Sequence, residues 1–108
     1  MTSETLKVWV VDDDQSVRWV LEKALRQEKM DTRSFERAEH LLEAMDHDSP
    51  DVLVTDVRMP GMDGLELYEQ VKKLKQDIFF LFCIRIYILL QNRLRRELKK
   101  LLKNLIQS

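Results

Sequence analysis

The chain has few residues that form cross-links or sharp turns, and this scarcity narrows its class. Cys83 is the single cysteine among 108 residues, so no intrachain disulfide can form and we expect a protein of the reducing cytoplasm. Residues 1–5 have neither the basic start nor the apolar stretch of a secretory signal. The apolar run of residues 78–90 contains Arg85 and is shorter than the about 20 residues that a spanning helix needs. The sequence therefore predicts neither secretion nor a membrane span.

Turn-forming residues are missing above all from the C-terminal part. Residues 78–108 contain no Gly, Pro, Ala, Thr or Asp, and these residue types include most of those that favour turns. The charge balance changes at the same point: residues 1–77 contain 11 Lys/Arg and 18 Asp/Glu, a net −7, and residues 78–108 contain 7 and 1, a net +6. Such an asymmetry indicates two parts with different origins or partners. We therefore divide the chain into one domain, residues 1–77, and a tail, residues 78–108.

The domain alternates between strand-like and helix-like patterns. Lys7–Val11 and residues 51–55 are short apolar runs typical of buried parallel strands, and residues 32–35 are a weaker strand candidate. Asp14 or Ser16 would cap the helix that follows the first strand. The alternation predicts an α/β fold with right-handed crossovers and a parallel sheet. The helical spacing rests on apolar residues at positions 17, 20, 21, 24 and 25, at 38, 41, 42 and 45, and at 67, 68, 71 and 74.

The tail carries two further patterns. Residues 78–83 form an apolar run that fits a fourth strand. Beyond them, leucines recur at helical spacing with basic residues on the remaining positions, which predicts an apolar and basic helix. The pattern consists of Leu90, Leu94, Leu98, Leu101 and Leu105, with Arg93, Arg96, Lys99, Lys100 and Lys103.

Both confident strands end in acidic residues. Asp12, Asp13 and Asp14 follow the first strand, and Asp56 follows the apolar run of the other. Ligands of open α/β sheets bind outside the carboxyl ends of the strands, so we expect these carboxylates to form one site. Grouped carboxylates repel one another, and a divalent cation relieves that repulsion. Mg²⁺ is the expected ion, because it prefers oxygen ligands and binds through one or two carboxylates and a phosphate oxygen.

Each acidic group also has a simpler structural explanation. Asp12, Asp13 and Asp14 could serve only as a helix cap, and Asp56 could be a turn residue at a strand end. For any one of these groups alone, the structural explanation is favoured. Two such groups at strand ends of one parallel sheet favour a functional site, in which Asp56 attacks phosphorus and becomes an acyl phosphate. His40 and His47 are expected at the surface of the second helix.

Residues 8–22 and 56–64 resemble the receiver domain of two-component response regulators, and within that family the nitrogen-responsive NtrC type. The resemblance covers about residues 7–77. It implies a flavodoxin-like (CheY-like) doubly wound sheet with strand order 2-1-3-4-5. Nothing in residues 78–108 matches, so we expect the fold to be incomplete.

The resemblance also implies the roles of individual residues and partners. Asp56 would accept a phosphoryl group from a histidine of a sensor kinase resembling NtrB. Asp12, Asp13 and Asp56 would hold Mg²⁺ together with the backbone carbonyl of Arg58. Receivers of this type can dimerise, and we expect this chain to contact neither nucleic acid nor membrane directly. The implied function is the phosphoacceptor domain of a transcriptional regulator, a signalling module rather than a metabolic enzyme.

The sequence departs from the family after residue 77. Receivers carry Ser or Thr at the end of the fourth strand and Lys-Pro at the end of the fifth, but no Ser or Thr occurs between Thr55 and Ser108 and no Pro follows Pro60. Our hypothesis is that a frameshift or rearrangement near codon 77 replaced the continuation of the domain. The result would be a truncated receiver whose activity the missing switch residues put in question.

Two other functions fit parts of the chain. In a membrane-surface or partner-binding protein, apolar residues 79–90 would insert and the basic helix of residues 93–103 would meet anionic lipid. A phosphatase of the haloacid dehalogenase type also uses an aspartate at a strand end. That class has a second Asp two residues later, where this chain has Arg58, so the sequence argues against it.

Overall fold

The computed structural model describes residues 5–75 and 77–83, together with residues 96 and 100 of the tail. Strands and helices alternate through the described part, as the sequence predicts. The elements are β1 (Lys7–Val11), α1 (Gln15–Gln27), β2 (Asp31–Phe35), α2 (Ala38–Ala44), β3 (Val52–Asp56), α3 (Gly64–Leu74) and β4 (Phe79–Cys83).

The four strands form one parallel sheet in the order β2-β1-β3-β4. This order reproduces the first four positions of the predicted flavodoxin-like sheet, and β4 confirms the expected fourth strand. In register, Val11 of β1 lies opposite Thr55 of β3, and Asp56 lies opposite Cys83 of β4. The carboxyl ends of β1, β3 and β4 therefore meet at one edge of the sheet.

Helices cover both faces of the sheet, which explains why β1 and β3 are continuous apolar runs. On one face, Val8, Val10, Val52 and Val54 pack against Leu21 and Leu25 of α1. On the other face, a second cluster joins the sheet to α2 and α3. Burial of each Val or Leu side chain contributes about 1.5–3 kcal/mol. The second cluster contains Trp9, Val11, Phe35, Ala38, Leu41, Leu53, Met59, Leu67, Val71 and Ile78.

The ends of α1 and α2 show which residue caps the first helix and where the second helix stops. Asp14 is the N-cap of α1, and its carboxylate accepts from the N–H groups of Ser16 (2.8 Å) and Val17 (3.3 Å). His40 and His47 are exposed as predicted. The placement of His47 on this helix was wrong, because α2 ends at Ala44.

The tail is described at two positions only. Arg96 and Lys100 are helical and exposed, and the rest of the predicted tail helix lies outside the described residues. Within the described part of the chain, no helix is long and apolar enough to cross a membrane.

Candidate functional site

The three predicted acidic residues lie together at the carboxyl edge of the sheet. Asp12 directly follows β1, and Asp56 is the last residue of β3. One carboxylate oxygen from each of Asp12, Asp13 and Asp56 lies within 4.8 Å of the others. Asp12 is buried, with 1% of its surface exposed, whereas Asp13 and Asp56 are half-buried. The cluster is therefore a shallow acidic pocket with one deep carboxylate.

Neighbouring elements hold Asp12 in position through several hydrogen bonds. Its carboxylate accepts the N–H of Asp14 at 2.9 Å, and its own N–H donates to the Phe35 carbonyl at the end of β2 at 3.2 Å. Arg18 of α1 donates from Nη1 to the Asp12 carbonyl at 2.7 Å. These contacts come from β2 and from α1, so the deep carboxylate is positioned before any ligand binds.

The three consecutive aspartates after β1 have different structural roles. Asp14 caps α1, which is the structural explanation that the sequence offered for the whole group. Asp12 and Asp13 instead turn toward Asp56 and complete the cluster. The capping explanation therefore holds for Asp14, whereas the functional explanation for Asp12 and Asp13 stays a prediction.

Gly64, the first residue of α3, lies directly against the backbone of Asp56. The first turn of α3 lies so close to the end of β3 that a β-carbon on Gly64 would overlap the Asp56 carbonyl oxygen and approach Val57 Cα to 3.1 Å. Its N–H donates to the Val57 carbonyl at 2.9 Å. Close approach of two backbones, and not a special φ, is what requires glycine here.

Glu39 of α2, which the sequence did not single out, binds the loop between β3 and α3. Gly61 has φ of 75°, a left-handed conformation that suits glycine. The next N–H, of Met62, donates to Glu39 Oε2 at 3.2 Å. Hydrogen bonds from the N–H of Glu39 itself and from that of Met62 lower the pKa of the Glu39 carboxyl below its usual value. No signal in the sequence links α2 to this loop.

Arg58 lies in the same loop and is exposed. That its backbone carbonyl binds the metal ion stays a prediction. Met59 is buried in the second core cluster.

The donor set of the cluster suits a hard divalent cation. All three groups offer carboxylate oxygens, which are the ligands that Mg²⁺ prefers over those of softer metals. Octahedral Mg²⁺ holds neighbouring ligand oxygens roughly 3 Å apart and opposite ones roughly 4 Å apart. The three carboxylate oxygens lie up to 4.8 Å apart. They would therefore need to move only slightly closer together, or one of them would bind the ion through a water molecule.

Comparisons with known proteins agree with this geometry. The family model described as response regulator receiver domain matches residues 8–85. The DNA-binding transcriptional regulator NtrC of Escherichia coli (strain K12) is 54% identical over 66 residues, which cover 61% of this chain and 14% of that protein. The C4-dicarboxylate transport regulator DctD of Rhizobium meliloti (strain 1021) is 32% identical over 71 residues, covering 66% of this chain and 15% of its own length. The chain thus spans about one seventh of these curated relatives.

Solved structures share the fold. The solution structure of the apo receiver domain of nitrogen regulatory protein C superposes with a TM-score of 0.67 at 44% identity, covering 74% of this chain and 64% of that one. A structure of a transiently phosphorylated "switch" in bacterial signal transduction gives a TM-score of 0.62 at 45% identity, covering 71% and 62%. The chemotaxis regulator CheY4 of Vibrio cholerae gives 0.68 at 25% identity, covering 72% and 67%.

Proposed function

The chain belongs to the response regulator receiver domain family, and from that premise we propose that it is the phosphoacceptor module of a nitrogen-responsive transcriptional regulator, with Asp56 as the acceptor. Receiver domains are signalling modules that take a phosphoryl group from a histidine kinase, and are not metabolic enzymes. The observation that carries the proposal is the convergence of Asp12, Asp13 and Asp56 at the carboxyl ends of β1 and β3.

The acceptor reaction follows from the positions of the carboxylates. An Asp56 carboxylate oxygen forms a bond to phosphorus while the bond from phosphorus to the phosphohistidine nitrogen breaks, and that nitrogen keeps the electron pair. A carboxylate nucleophile needs no general base, so the domain contributes positioning and charge neutralisation. Asp12, Asp13, Asp56 and the Arg58 carbonyl would hold Mg²⁺, which when bound neutralises charge on the phosphoryl oxygens. Asp12 and its hydrogen bonds keep the pocket in place during transfer.

The finer assignments rest on the relatives. The likeness to the receiver domain of nitrogen regulatory protein C supports a nitrogen-responsive role. From the family resemblance we further propose an NtrB-like sensor histidine kinase as the donor, receiver dimerisation and a cytoplasmic location. These relatives are DNA-binding transcriptional regulators, and this chain matches about one seventh of the length of each. Contact with DNA is therefore not assigned to the chain itself.

The switch residues of the family have no counterpart in the sequence, and we infer a receiver with altered output. β4 ends at Cys83, opposite Asp56 in register, and contains no Ser or Thr. No Lys-Pro pair follows in the remaining residues. The boundary at residue 77 and the frameshift origin of the tail remain our hypotheses, and reading the other two frames of the gene for Thr-Ala and Lys-Pro at receiver spacing tests them.

Acceptor function is tested by incubation of the full chain with acetyl phosphate and Mg²⁺, read by intact mass. We expect one added phosphoryl group on the wild type, none on Asp56→Asn, and a normal level on Asp46→Asn, a matched change at an exposed position. Transfer from a phosphorylated NtrB-like kinase, compared with an unrelated kinase, then tests the nitrogen assignment. Soluble, folded chain that takes no label from either donor would show that the acidic pocket is not an acceptor.

A further inference from the structure

An exposed aromatic surface lies between α3 and β4, and we call its residues Tyr68, Phe80 and Phe82 the aromatic ledge. The Tyr68 and Phe80 rings meet edge to face at 5.0 Å, and Phe82 lies 6.0 Å from Phe80 and 6.1 Å from Tyr68. Tyr68 and Phe82 are each 40% exposed. Contiguous apolar surface of this kind on a small domain marks an interaction site.

The ledge continues into a groove with acidic residues in its wall. The groove has a volume of about 530 Å³, and Asp51 and Asp77 are among the residues that line it. Lys72, also in the wall, donates from Nζ to the Ile78 carbonyl and lies 5.6 Å from the Tyr68 and Phe80 ring centroids. This lysine is already engaged by the domain, so the groove favours a partner that is apolar and basic.

The chain itself supplies a segment of that chemistry directly after the ledge. β4 ends at Cys83, and residues 84–108 add a further 25 positions. Arg96 and Lys100 are helical and exposed; four residues apart on a helix, they share one side. If the helix continues at 3.6 residues per turn, leucines 94, 98, 101 and 105 would fall on the side opposite to these two residues. The exposure of Arg96 and Lys100 fits the polar side of such a helix.

We propose that the leucine side of residues 90–105 packs on the aromatic ledge of its own chain. A helix of that length is about 24 Å long, and a linker of residues 84–89 reaches up to about 20 Å, so the connection is long enough. The net charge of +6 on residues 78–108 complements the −7 of residues 1–77. A segment tethered directly after β4 also has a high effective concentration relative to any separate molecule.

Packing in this way gives β4 a covered face. β4 is the outermost strand of the sheet among the described residues, and exposed apolar edge strands promote aggregation. The tail would then stabilise the four-stranded sheet by a contact from within the same chain. This role is independent of the chemistry at Asp56.

The contact is tested on the full chain by nuclear Overhauser effects between leucine methyl groups and the Tyr68 and Phe80 rings. A mixture of isotope-labelled and unlabelled chains separates contacts within one chain from contacts between two. We expect intrachain signals in the wild type. Leu98→Asp should abolish them and lower the thermal midpoint by about 5 °C, while Asn92→Asp, the same charge change on the polar side, should leave both unaltered.

A pair of exposed aromatic residues, one on each face of the sheet, tests the other side of the contact. Phe82 is 40% exposed on the ledge, and Trp19 of α1 is 62% exposed on a helix that packs against the other face of the sheet. Phe82→Ser should remove the leucine contacts to Tyr68, and Trp19→Ser should retain them. A pair of variants that loses these contacts equally would overturn the proposal.

Three further results would also overturn it. The first is contact between copies, seen as interchain signals or as a precipitate that Phe82→Ser prevents, which would make a second chain the occupant. The second is salt-sensitive binding to phosphatidylserine-containing vesicles that Leu98→Asp abolishes, with no intrachain contact, which would support a membrane-surface role for the tail. The third is the absence of any contact at the ledge in a folded monomer.

Discussion

Gly64 packs its α-carbon against the backbone carbonyl of Asp56, leaving no room for a β-carbon between α3 and β3. An alanine in a helix is ordinarily more stable than glycine by about 1 kcal/mol. At this position we expect the reverse: Gly64→Ala should lower the free energy of unfolding by about 1–3 kcal/mol through overpacking. It should also slow labelling by acetyl phosphate, because Asp56 must shift.

Urea denaturation and the labelling rate measure the two effects of Gly64→Ala. Gln70→Ala, on the exposed side of the same helix, is the control and should change neither. Greater stability of the Gly64→Ala chain would mean that α3 and the end of β3 are not in this close contact in solution.

The adjacent residues Asp13 and Asp14 should respond differently to mutation. Asp13→Asn removes one charge from the acidic cluster, so the dissociation constant for Mg²⁺ should rise by roughly tenfold or more. Asp14→Ala removes the cap of α1 and should lower the free energy of unfolding by about 1 kcal/mol, with little effect on Mg²⁺ binding. Calorimetric titration with Mg²⁺ and urea denaturation separate the two, and equal effects on metal binding would contradict the division of roles.

Glu39 should make stability depend on pH. Its pKa in the folded chain lies below the unfolded value near 4.5, because its own N–H and that of Met62 bind the carboxylate. Its contribution is therefore present above the unfolded pKa and is lost as the pH falls through the folded pKa.

Glu39→Gln should consequently be less stable than the wild type at neutral pH, and the difference should shrink as the solution becomes more acidic. Urea denaturation across this pH range measures it. Glu43→Gln, an exposed change on the same helix, should show no such pattern. A difference between wild type and Glu39→Gln that stays constant into the acid range would refute the assignment to this carboxylate.

Lys72 should stabilise the junction between α3 and β4. Its ammonium binds the Ile78 carbonyl and lies near two aromatic rings. Lys72→Met keeps the apolar stem and removes the charge, so we expect a loss of about 1 kcal/mol in the free energy of unfolding. Lys73→Met, at the exposed neighbouring position, serves as the comparison in thermal or urea unfolding; an equal loss in both would assign the effect to net charge.

Local patterns explain why much of the fold could be predicted. Buried parallel strands produce short β-branched runs, so β1 and β3 were recognisable from their own residues. Helical spacing located α1 and α3 in the same way. The parallel order then placed Asp12, Asp13 and Asp56 at one edge, because the carboxyl ends of parallel strands meet there.

Contacts between distant residues decided what the sequence left open. The bond from Met62 to Glu39 spans 23 positions, and the need for glycine at position 64 arises only once α3 lies against β3. Asp14 takes the cap because its side chain reaches the first N–H groups of α1. The sequence by itself determined the element order and the acidic residues at the strand ends, because both follow from local side-chain periodicity. Only the tertiary structure decided how the loop after Asp56 is held and which apolar side chains stay exposed, because packing and hydrogen bonds between separate elements set both.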